Sequence, residues 1–274
     1  MQDSPAFLKT DVPDRLRTLL IHHRGAYLEE QVMAPWLASF SELVGVVVLE
    51  ETRERRRRRI RREIDRVGPL RFLDVAAFRV YSAAVLARRD AEWERKAAEE
   101  LRRPYGSRPE VETLETASPN STDAERFIRE REPDLVVARC RTLIDERVFS
   151  IPRFGTFVMH PGIVPEYRNS HGCFWALASG DLDRVGMTLL RIDAGVDTGP
   201  VYGYYTYPYD ERRESHNVIQ KRVVYENLEP LRDKLLEIAA GEAEPIDTSG
   251  RVSGAWGQPW LTRYLAWKRR ARAR

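Results

Sequence analysis

The sequence predicts an α/β fold with a doubly wound, Rossmann-like and mostly parallel sheet, a helical insertion and a C-terminal extension. The first observation is an apolar run from Thr18 to Ile21, followed by the helical pattern "YLEEQVMAPWLASF". The second is the β-branched run "ELVGVVVLEE", which is typical of a strand covered on both faces. Alternation of strand, helix and strand implies a parallel sheet with right-handed crossovers, in which ligands bind beyond the carboxyl ends of the strands.

The third observation is that the alternation continues further along the chain. Thr122 and Glu125 have the spacing of a helix-capping box, and Pro133 predicts the end of that helix. A strand from Leu135 to Ala138 follows. We then expect a strand at "FGTFVMH", a helix at "SHGCFWALASG", a strand at "RVGMTLLRID", and one long amphipathic helix that ends at Gly241.

Composition indicates a globular protein. The 274 residues can bury a sizeable core, and the net charge of +3 is too small for the composition as a whole to indicate nucleic-acid binding. Cys140 and Cys173 lack metal-ligand spacing and are predicted to be reduced core residues. The opening "MQDSPAFLKTDVPDRLR" has no apolar signal-peptide core, so we expect a cytoplasmic protein.

We expect residues 1–241 to form the α/β domain, interrupted by a basic helical insert at about 51–110. Residues 242–274 form a C-terminal extension with a Trp-rich and basic tail. Three tryptophans are expected to anchor this extension while the last six residues fray: Trp256, Trp260 and Trp267. Interleaved tryptophans and cations can also stack on bases, which keeps nucleic-acid binding as a minor alternative.

The insert begins with the basic run "ETRERRRRRIRREIDRVG", for which a solvated helix face is the simplest interpretation. It continues as "PLRFLDVAAFRVYSAAVLARR", which is apolar nearly all round but too short and too charged to span a membrane. We expect this second helix to pack on its own domain or on a second subunit in a homo-oligomer. Binding to an anionic membrane surface is the alternative.

Candidate catalytic residues follow three predicted strands. His160 ends one strand, Asp197 lies in the glycine-rich "DAGVDTGP" after the next, and Arg141 follows the strand "DLVVA". In an open parallel sheet these ends share one crevice, where an aspartate can raise the basicity of an imidazole and fix its tautomer. A lone histidine at a strand end is otherwise more often structural.

Three consecutive blocks resemble the folate-dependent formyltransferase family, which includes the glycinamide ribonucleotide, methionyl-tRNA and sugar N-formyltransferases and the 10-formyltetrahydrofolate hydrolases. The blocks are "PDLVVARCRTLI", "GTFVMHPGIVPEYRNSHGCFWALASGD" and "VGMTLLRIDAGVDTGPV". Their order and spacing make the combined signal specific, whereas each block alone is weak. The resemblance is close over 133–205, covers 15–50 only in pattern, and omits the insert and the segment after 241.

The resemblance implies roles for individual residues. His160 and Asp197 match the catalytic pair: an acceptor amine would attack the formyl carbon of 10-formyltetrahydrofolate while His160 stabilises the oxyanion and Asp197 orients it. No metal is required. Further matches line the pterin pocket or close over it: Arg141, Thr142 and Leu143, and the loop from Asp193 through Val196 to Asp197.

One departure from the family pattern concerns the oxyanion. The transferases usually place an asparagine two residues before the histidine, where this chain has Val158. Loss of such an amide donor costs about 2.7–4 kcal/mol of transition-state stabilisation. Asn169, Ser170 and His171 are the nearest polar candidates to replace it; otherwise the reaction is hydrolysis or slow transfer, or the site binds folate without turnover.

The loop after the first strand lies where family members receive the acceptor. His22, His23 and Arg24 could bind a phosphate or nucleotide there, although an ordinary solvated turn is equally compatible. The loop lacks the glycine-rich pattern of the glycinamide ribonucleotide enzymes, and the tail is shorter than the tRNA-binding barrel of the methionyl-tRNA enzymes. We therefore expect a small-molecule amine acceptor, with an amino sugar as one candidate; a formyl-folate hydrolase and a catalytically weak scaffold are the alternatives.

Overall fold

The computed structural model describes residues 15–274 and contains a seven-stranded mixed sheet in the order β3-β2-β1-β4-β5-β7-β8. The expectation drawn from the opening segment falls mainly on residues 1–14, which lie outside the described residues. The first five strands are β1 (Arg17–His23), β2 (Glu42–Leu49), β3 (Thr113–Thr116), β4 (Leu135–Arg139) and β5 (Gly155–His160). They are mutually parallel, so the predicted α/β class is confirmed.

The sheet reverses direction after β5. A two-residue strand, β6 (Arg168–Asn169), intervenes before β7 (Met187–Arg191) and β8 (Val201–Tyr205), and both β7 and β8 pair antiparallel. Separately, β6 pairs with β9 (Ala255–Trp256) in the C-terminal extension. The sheet order also reverses at β1 and β4, and this is the position where parallel sheets bind ligands.

Helices cover both faces of the sheet. The larger hydrophobic cluster includes Trp36, Phe174 and Leu231, and the smaller one on the other face includes Phe127 and Ile128. Outside the insert, the helices are α1 (Ala34–Phe40), α5 (Thr122–Glu130), α6 (Glu146–Phe149), α7 (Gly172–Ser179), α8 (His216–Tyr225), α9 (Leu228–Ala240) and α10 (Leu261–Ala273). A π-helical turn, Glu29–Met33, precedes α1, and a 3-10 turn, Leu182–Arg184, follows α7.

The structure corrects several predicted boundaries. The cap of α5 is Ser121, whose side chain accepts from the Ala124 N–H, and not Thr122. The predicted long helix is two helices, α8 and α9, since Pro230 has no N–H to donate to the Glu226 carbonyl and its ring would clash there. The edge strand β3 is absent from the sequence prediction because four residues give little alternation.

The C-terminal extension is ordered to its end. The last six residues were expected to fray, but α10 continues to Ala273, and Arg270 donates a hydrogen bond to the Ala178 carbonyl. Trp267 is fully buried and its Nε1–H donates to Glu211 at 2.8 Å. Both cysteines are unpaired, and burial raises the pKa of the Cys173 thiol to about 12.

The insert forms α2 (Arg53–Val67), α3 (Pro69–Tyr81), a π-helical turn (Ser82–Leu86) and α4 (Ala87–Arg102). On α3, Val75 and Phe78 are buried in the domain. The opposite side is an exposed apolar stripe at helical spacing: Leu70, Leu73 and Val80. This stripe is the surface that the membrane and homo-oligomer expectations concern. Within residues 15–274, no helix is long and apolar enough to cross a bilayer.

We expect Trp267→Ala to lower the free energy of unfolding by about 3–5 kcal/mol, because it leaves a large cavity and removes the bond to Glu211. Urea denaturation would measure this. Leu265→Ala on the exposed side of the same helix is the matched control and should cost less than about 1 kcal/mol. Equal losses in both variants would show that α10 does not anchor through its buried face.

Candidate active site

His160 ends β5 and is 5% exposed. The turn after it is held by Thr188 on β7, whose buried hydroxyl donates to the Gly162 carbonyl at 2.7 Å and accepts from the Val164 N–H at 3.1 Å. The position of the imidazole is therefore fixed by the strand before it and by the neighbouring strand beside it.

Two oxygen atoms contact the His160 ring. Nδ1 lies 3.4 Å from Asp197 Oδ2, and Nε2 lies 2.8 Å from the Tyr167 carbonyl oxygen. Both oxygens accept hydrogen bonds, so a neutral imidazole can donate to only one of them at a time, whereas the imidazolium donates to both. This geometry suits a group that gains and returns a proton while its orientation stays fixed.

The carboxylate of Asp197 has a second partner. It accepts from the Asn169 backbone N–H at 2.7 Å, which ties the loop after β7 to β6. The same loop is fixed by Arg168, which donates to the Val196 carbonyl at 2.9 Å. Arg168 also donates to Ser253 at 2.9 Å, so the C-terminal extension supports the loop that carries the aspartate.

Backbone strain is concentrated around this pair. Among residues 15–274, four non-glycine residues have positive φ, and three of them lie here: Asn169 (75°), His171 (56°) and Asp197 (50°). Such conformations cost about 1–3 kcal/mol each and tend to cluster at functional sites. Gly162 is needed for space, because a Cβ there would lie 2.7 Å from His160 Nε2 and 2.5 Å from the Tyr167 carbonyl oxygen.

The segment Arg141 to Leu143 follows β4, the neighbour of β5. The Arg141 backbone N–H donates to His23 Nε2 at 3.1 Å, so His23 accepts as a neutral imidazole. Burial, followed by the nearby Arg141 charge, lowers the pKa of His23. The side chain of Leu143 is 62% exposed beside this segment.

The loop Asp193 to Asp197 starts from the same face of the sheet as the Arg141 segment. Ile192 just before it and Ile144 just after Leu143 belong to one hydrophobic cluster. Asp193 holds the loop by accepting from the Gly195 N–H at 2.9 Å and from the Thr198 hydroxyl at 2.8 Å.

Val158 lies on the same face of β5 as His160 and supplies no hydrogen-bond donor. It pairs with Ala138 and Leu190 and packs beside Val164. The side chain is half-buried. The apolar side chain noted in the sequence therefore lies next to the histidine on the same face of the strand.

The three proposed substitutes for an amide donor have different surroundings. Asn169 uses its side-chain N–H on the Trp256 carbonyl, so that amide is already engaged. Ser170 is half-buried, and among the described residues its hydroxyl has no hydrogen-bond partner. His171 is half-buried, and its Nδ1 likewise lacks a partner within residues 15–274.

The predicted acceptor loop is partly committed to internal contacts. His22 is buried, with Nδ1 2.9 Å from the His23 carbonyl oxygen. Arg24 forms ion pairs with Glu50 and Glu115. The structure thus places the Arg24 guanidinium in an exposed salt-bridge network at the ends of β1, β2 and β3.

Several residues around His160 were not identified from the sequence. These are Tyr167, which acts through its carbonyl, Arg168, which fixes the Asp197 loop, and Gly162, which leaves room for the imidazole. Of these three, only Gly162 could have been found from the sequence, because it follows His160 in the "HPG" turn. The sequence analysis expected Asp197 to reach His160 because the two strands would end at the same edge of a parallel sheet. This argument was wrong, because β7 runs antiparallel to β5 and the loop after β7 folds back to reach His160.

Sequence comparison gives the family. A model described as formyl transferase matches residues 76–232, which is more than half of the chain. The chain belongs to this formyl transferase family. The matched range begins inside the segment that we treated as an insert, so residues 76–110 of that segment lie within the match.

Curated relatives of this family member include two methionyl-tRNA formyltransferases. The one from Thermotoga maritima is 28% identical over 151 residues, covering 55% of this chain and 48% of that protein. The one from Dehalococcoides mccartyi strain CBDB1 is 36% identical over 81 residues, covering 29% of this chain and 26% of that protein. The chain thus spans about half or less of the length of these relatives.

Solved structures of the family share the fold. A phosphoribosylglycinamide formyltransferase from Anaplasma phagocytophilum has a TM-score of 0.54 at 16% identity, with 88% of this chain and 98% of that chain covered. A sugar N-formyltransferase from a Shewanella species also has a TM-score of 0.54, at 12% identity, with 93% and 87% covered. At these identities the likeness concerns the fold of this chain and not its acceptor.

We expect this protein to lose stability in acid through two histidines. Burial, then the Arg141 charge, lowers the pKa of His171 to about 4, and burial, then His171, lowers the pKa of His216 well below its usual value. The unfolded chain takes up these protons near pH 6.5 but the folded chain does not. The stability present above pH 6.5 is therefore lost as the pH falls toward 4.

Urea unfolding at pH 7 and pH 5 tests this expectation. His216→Phe keeps a ring among Phe78, Phe174 and Tyr264 but cannot titrate. The free energy of unfolding of the variant should fall by about 1–2 kcal/mol less than that of the wild type over this range. The same fall in both proteins would contradict the assignment to His216.

Proposed function

We propose that this protein transfers a formyl group from 10-formyltetrahydrofolate to a primary amine of a small molecule, with His160 and Asp197 as the catalytic pair. The observation that carries the proposal is the His160 ring, fixed between Asp197 Oδ2 and the Tyr167 carbonyl within a formyl transferase domain. The acceptor class is inferred from the sequence, with an amino sugar as one candidate.

The donor would bind between the two backbone loops described above. Arg141, Thr142 and Leu143 would hold one edge of the pterin ring, and the loop from Asp193 to Val196 would close over it. The folate supplies the formyl group at N10. The exposed Leu143 side chain and the loops rising from one hydrophobic cluster support this location.

His160 and Asp197 would then assist the reaction at the formyl carbon. Attack by the amine turns the formyl oxygen into an oxyanion. A protonated His160 would turn its Nε2–H from the Tyr167 carbonyl to this oxyanion, pass the proton to the folate nitrogen that leaves, and take up the proton that the attacking amine releases. Asp197 stabilises the imidazolium while the Asn169 N–H keeps the carboxylate in place. Before the substrates bind, the Tyr167 carbonyl holds the ring in place, 2.8 Å from Nε2.

Hydrolysis of 10-formyltetrahydrofolate is the second candidate, and Val158 is the observation that favours it. With no amide at this position, the oxyanion has one donor fewer than in the usual transferase pattern. Water needs no acceptor pocket, so a hydrolase could use the same pair. A folate-binding scaffold with little turnover remains the third alternative, and loss of turnover in catalytic-pair variants would exclude it.

We expect His160→Asn and Asp197→Asn each to slow tetrahydrofolate release from 10-formyltetrahydrofolate by about 10²–10⁴-fold, because each removes part of the proton-transfer pair. Release is measured with and without added amine. Asp233→Asn, an exposed carboxylate on α9, is the control and should retain full activity. Release in the absence of amine identifies hydrolysis; unchanged rates in both site variants would refute the pair.

Val158→Asn tests whether a missing hydrogen-bond donor to the oxyanion limits the reaction. If the missing amide limits the reaction, a donor placed there should raise the rate of formyl release at least 10-fold, while the polar group costs about 1–3 kcal/mol of stability beside Val164. Val158→Leu is the apolar control and should not accelerate the reaction. A folded Val158→Asn protein with an unchanged rate would show that another group already supplies the donor.

A further inference from the structure

The apolar stripe on α3 is open to solvent. Its three members, Leu70, Leu73 and Val80, are 81%, 65% and 70% exposed. Ala77 between them is also exposed, and the spacing of three, four and three residues keeps all four side chains on one side of the helix. At 1.5 Å per residue the stripe is about 15 Å long. An exposed row of large aliphatic side chains is typical of a surface that contacts another molecule.

The stripe is flanked by two other helices, α2 and α10, which both pack against α3. Asp74 faces α10, where its carboxylate accepts from the Thr262 N–H at 3.0 Å. Arg79 faces α2, and burial, followed by the nearby Arg59 charge, lowers its pKa. Because Asp74 and Arg79 are five residues apart, they point about 140° from each other around the helix. The three helices therefore form one surface, with the stripe between α2 and α10.

Both flanking helices are strongly basic. α2 contains nine arginines and three acidic residues, and α10 contains four arginines, one lysine and no acidic residue. The whole chain has a net charge of only +3, so the rest of it carries an excess of acidic residues. The positive charge is thus concentrated beside the stripe. In the part of the chain that the structure describes, several exposed arginines of these two helices form no ion pair: Arg57, Arg61, Arg62, Arg269 and Arg272.

A cleft of about 280 Å³ lies at the N-terminal end of α3, next to the stripe. Arg71, which follows Leu70, and Arg263 of α10 lie over the Trp260 ring, with 5.6 Å and 6.0 Å between guanidinium carbon and ring centroid. Neither arginine forms an ion pair within residues 15–274. Arg66 of α2 contributes a third guanidinium to the cleft. Arginines beside an indole ring are typical of segments that lie in the headgroup layer of a membrane.

The combination of charge and apolar area decides which partner fits this surface. A second copy of the chain would bring α2 or α10 against α2 or α10 of the first, and these like charges repel. A nucleic acid would attract the arginines, but the aliphatic side chains of the stripe do not stack on bases. An anionic bilayer complements both features, because its acyl chains bury aliphatic side chains and its phosphates neutralise arginines.

We propose that the surface formed by α2, α3 and α10 binds to an anionic phospholipid bilayer. Leu70, Leu73 and Val80 would insert below the headgroups, and the arginines of α2 and α10 would contact the lipid phosphates. The helix would lie in the plane of the membrane, since Val75 and Phe78 fix its other side to the domain. This inference goes beyond the proposed function and does not depend on formyl transfer.

Co-sedimentation of the full chain with phospholipid vesicles tests the proposal. We expect binding to vesicles of phosphatidylcholine mixed with phosphatidylglycerol, and binding at least about 10-fold weaker to phosphatidylcholine alone. Leu73→Gln should weaken binding to the anionic vesicles by about 5- to 10-fold, because it removes a leucine that the membrane buries. Leu236→Gln, at an exposed leucine of α9, is the matched control and should change binding by less than about 2-fold.

A second pair of variants tests the charge. Arg57→Gln combined with Arg61→Gln removes two unpaired arginines from α2 and should weaken binding to anionic vesicles by about 10-fold or more. Arg103→Gln combined with Arg108→Gln removes the same charge from two exposed arginines just beyond α4 and should have an effect of less than about 3-fold. The urea midpoint of each variant shows whether it is folded.

Several outcomes would overturn the proposal. They are the absence of binding to anionic vesicles, equal binding to neutral ones, and equal losses in a surface variant and its control. A dimer that forms without vesicles and dissociates in Leu73→Gln, measured by sedimentation velocity, would assign the stripe to a second copy instead. Tetrahydrofolate release should be unchanged in these variants, none of which lies in the candidate active site, so failure of membrane binding is distinguishable from failure of the proposed function.

Discussion

The contact between His160 and Asp197 is the constraint on which the candidate site depends. Burial of an imidazole costs least when both ring nitrogens have partners, and for His160 they are a carboxylate at 3.4 Å and a backbone carbonyl at 2.8 Å. Neither partner lies on β5 itself. The loop after β7 must fold back, and the chain after the Pro-Gly turn must return over Gly162, to bring them there. The positive φ values of Asn169, His171 and Asp197 are the local cost of these paths.

The C-terminal extension stabilises this strained arrangement from outside the α/β core. Pairing of β6 with β9, the bond from Arg168 to Ser253, and the bond from Asn169 to the Trp256 carbonyl all connect the site loops to residues after 241. Behind them, Trp256 stacks on both Tyr167 and Trp175. The tryptophans in the tail therefore have a structural explanation that does not involve nucleic acid.

The sequence was sufficient to predict the fold class, most strands and the central pair, since these depend on local hydrophobic pattern and on three motifs with fixed spacing. It was insufficient where distant segments decide the outcome. The antiparallel β7 cannot be distinguished by pattern from a buried parallel strand, so Asp197 was placed beside His160 by a wrong argument. The supporting roles of Arg168 and of the Tyr167 carbonyl depend on partners 28 and 7 residues away, which spacing does not show.

The insert packs on the domain and on the C-terminal extension. Its basic run is not uniformly a solvated face, because Glu63 is buried against Arg66 and the extension, while α3 buries Val75 and Phe78 in the core. A cavity of about 300 Å³ lies between the insert, the extension and the site loops. The extension also pairs with β6 and, through Arg168, holds the loop that carries Asp197. A change in the extension would therefore disturb the partners of the His160 ring, whereas a change on α3 acts first on the cavity.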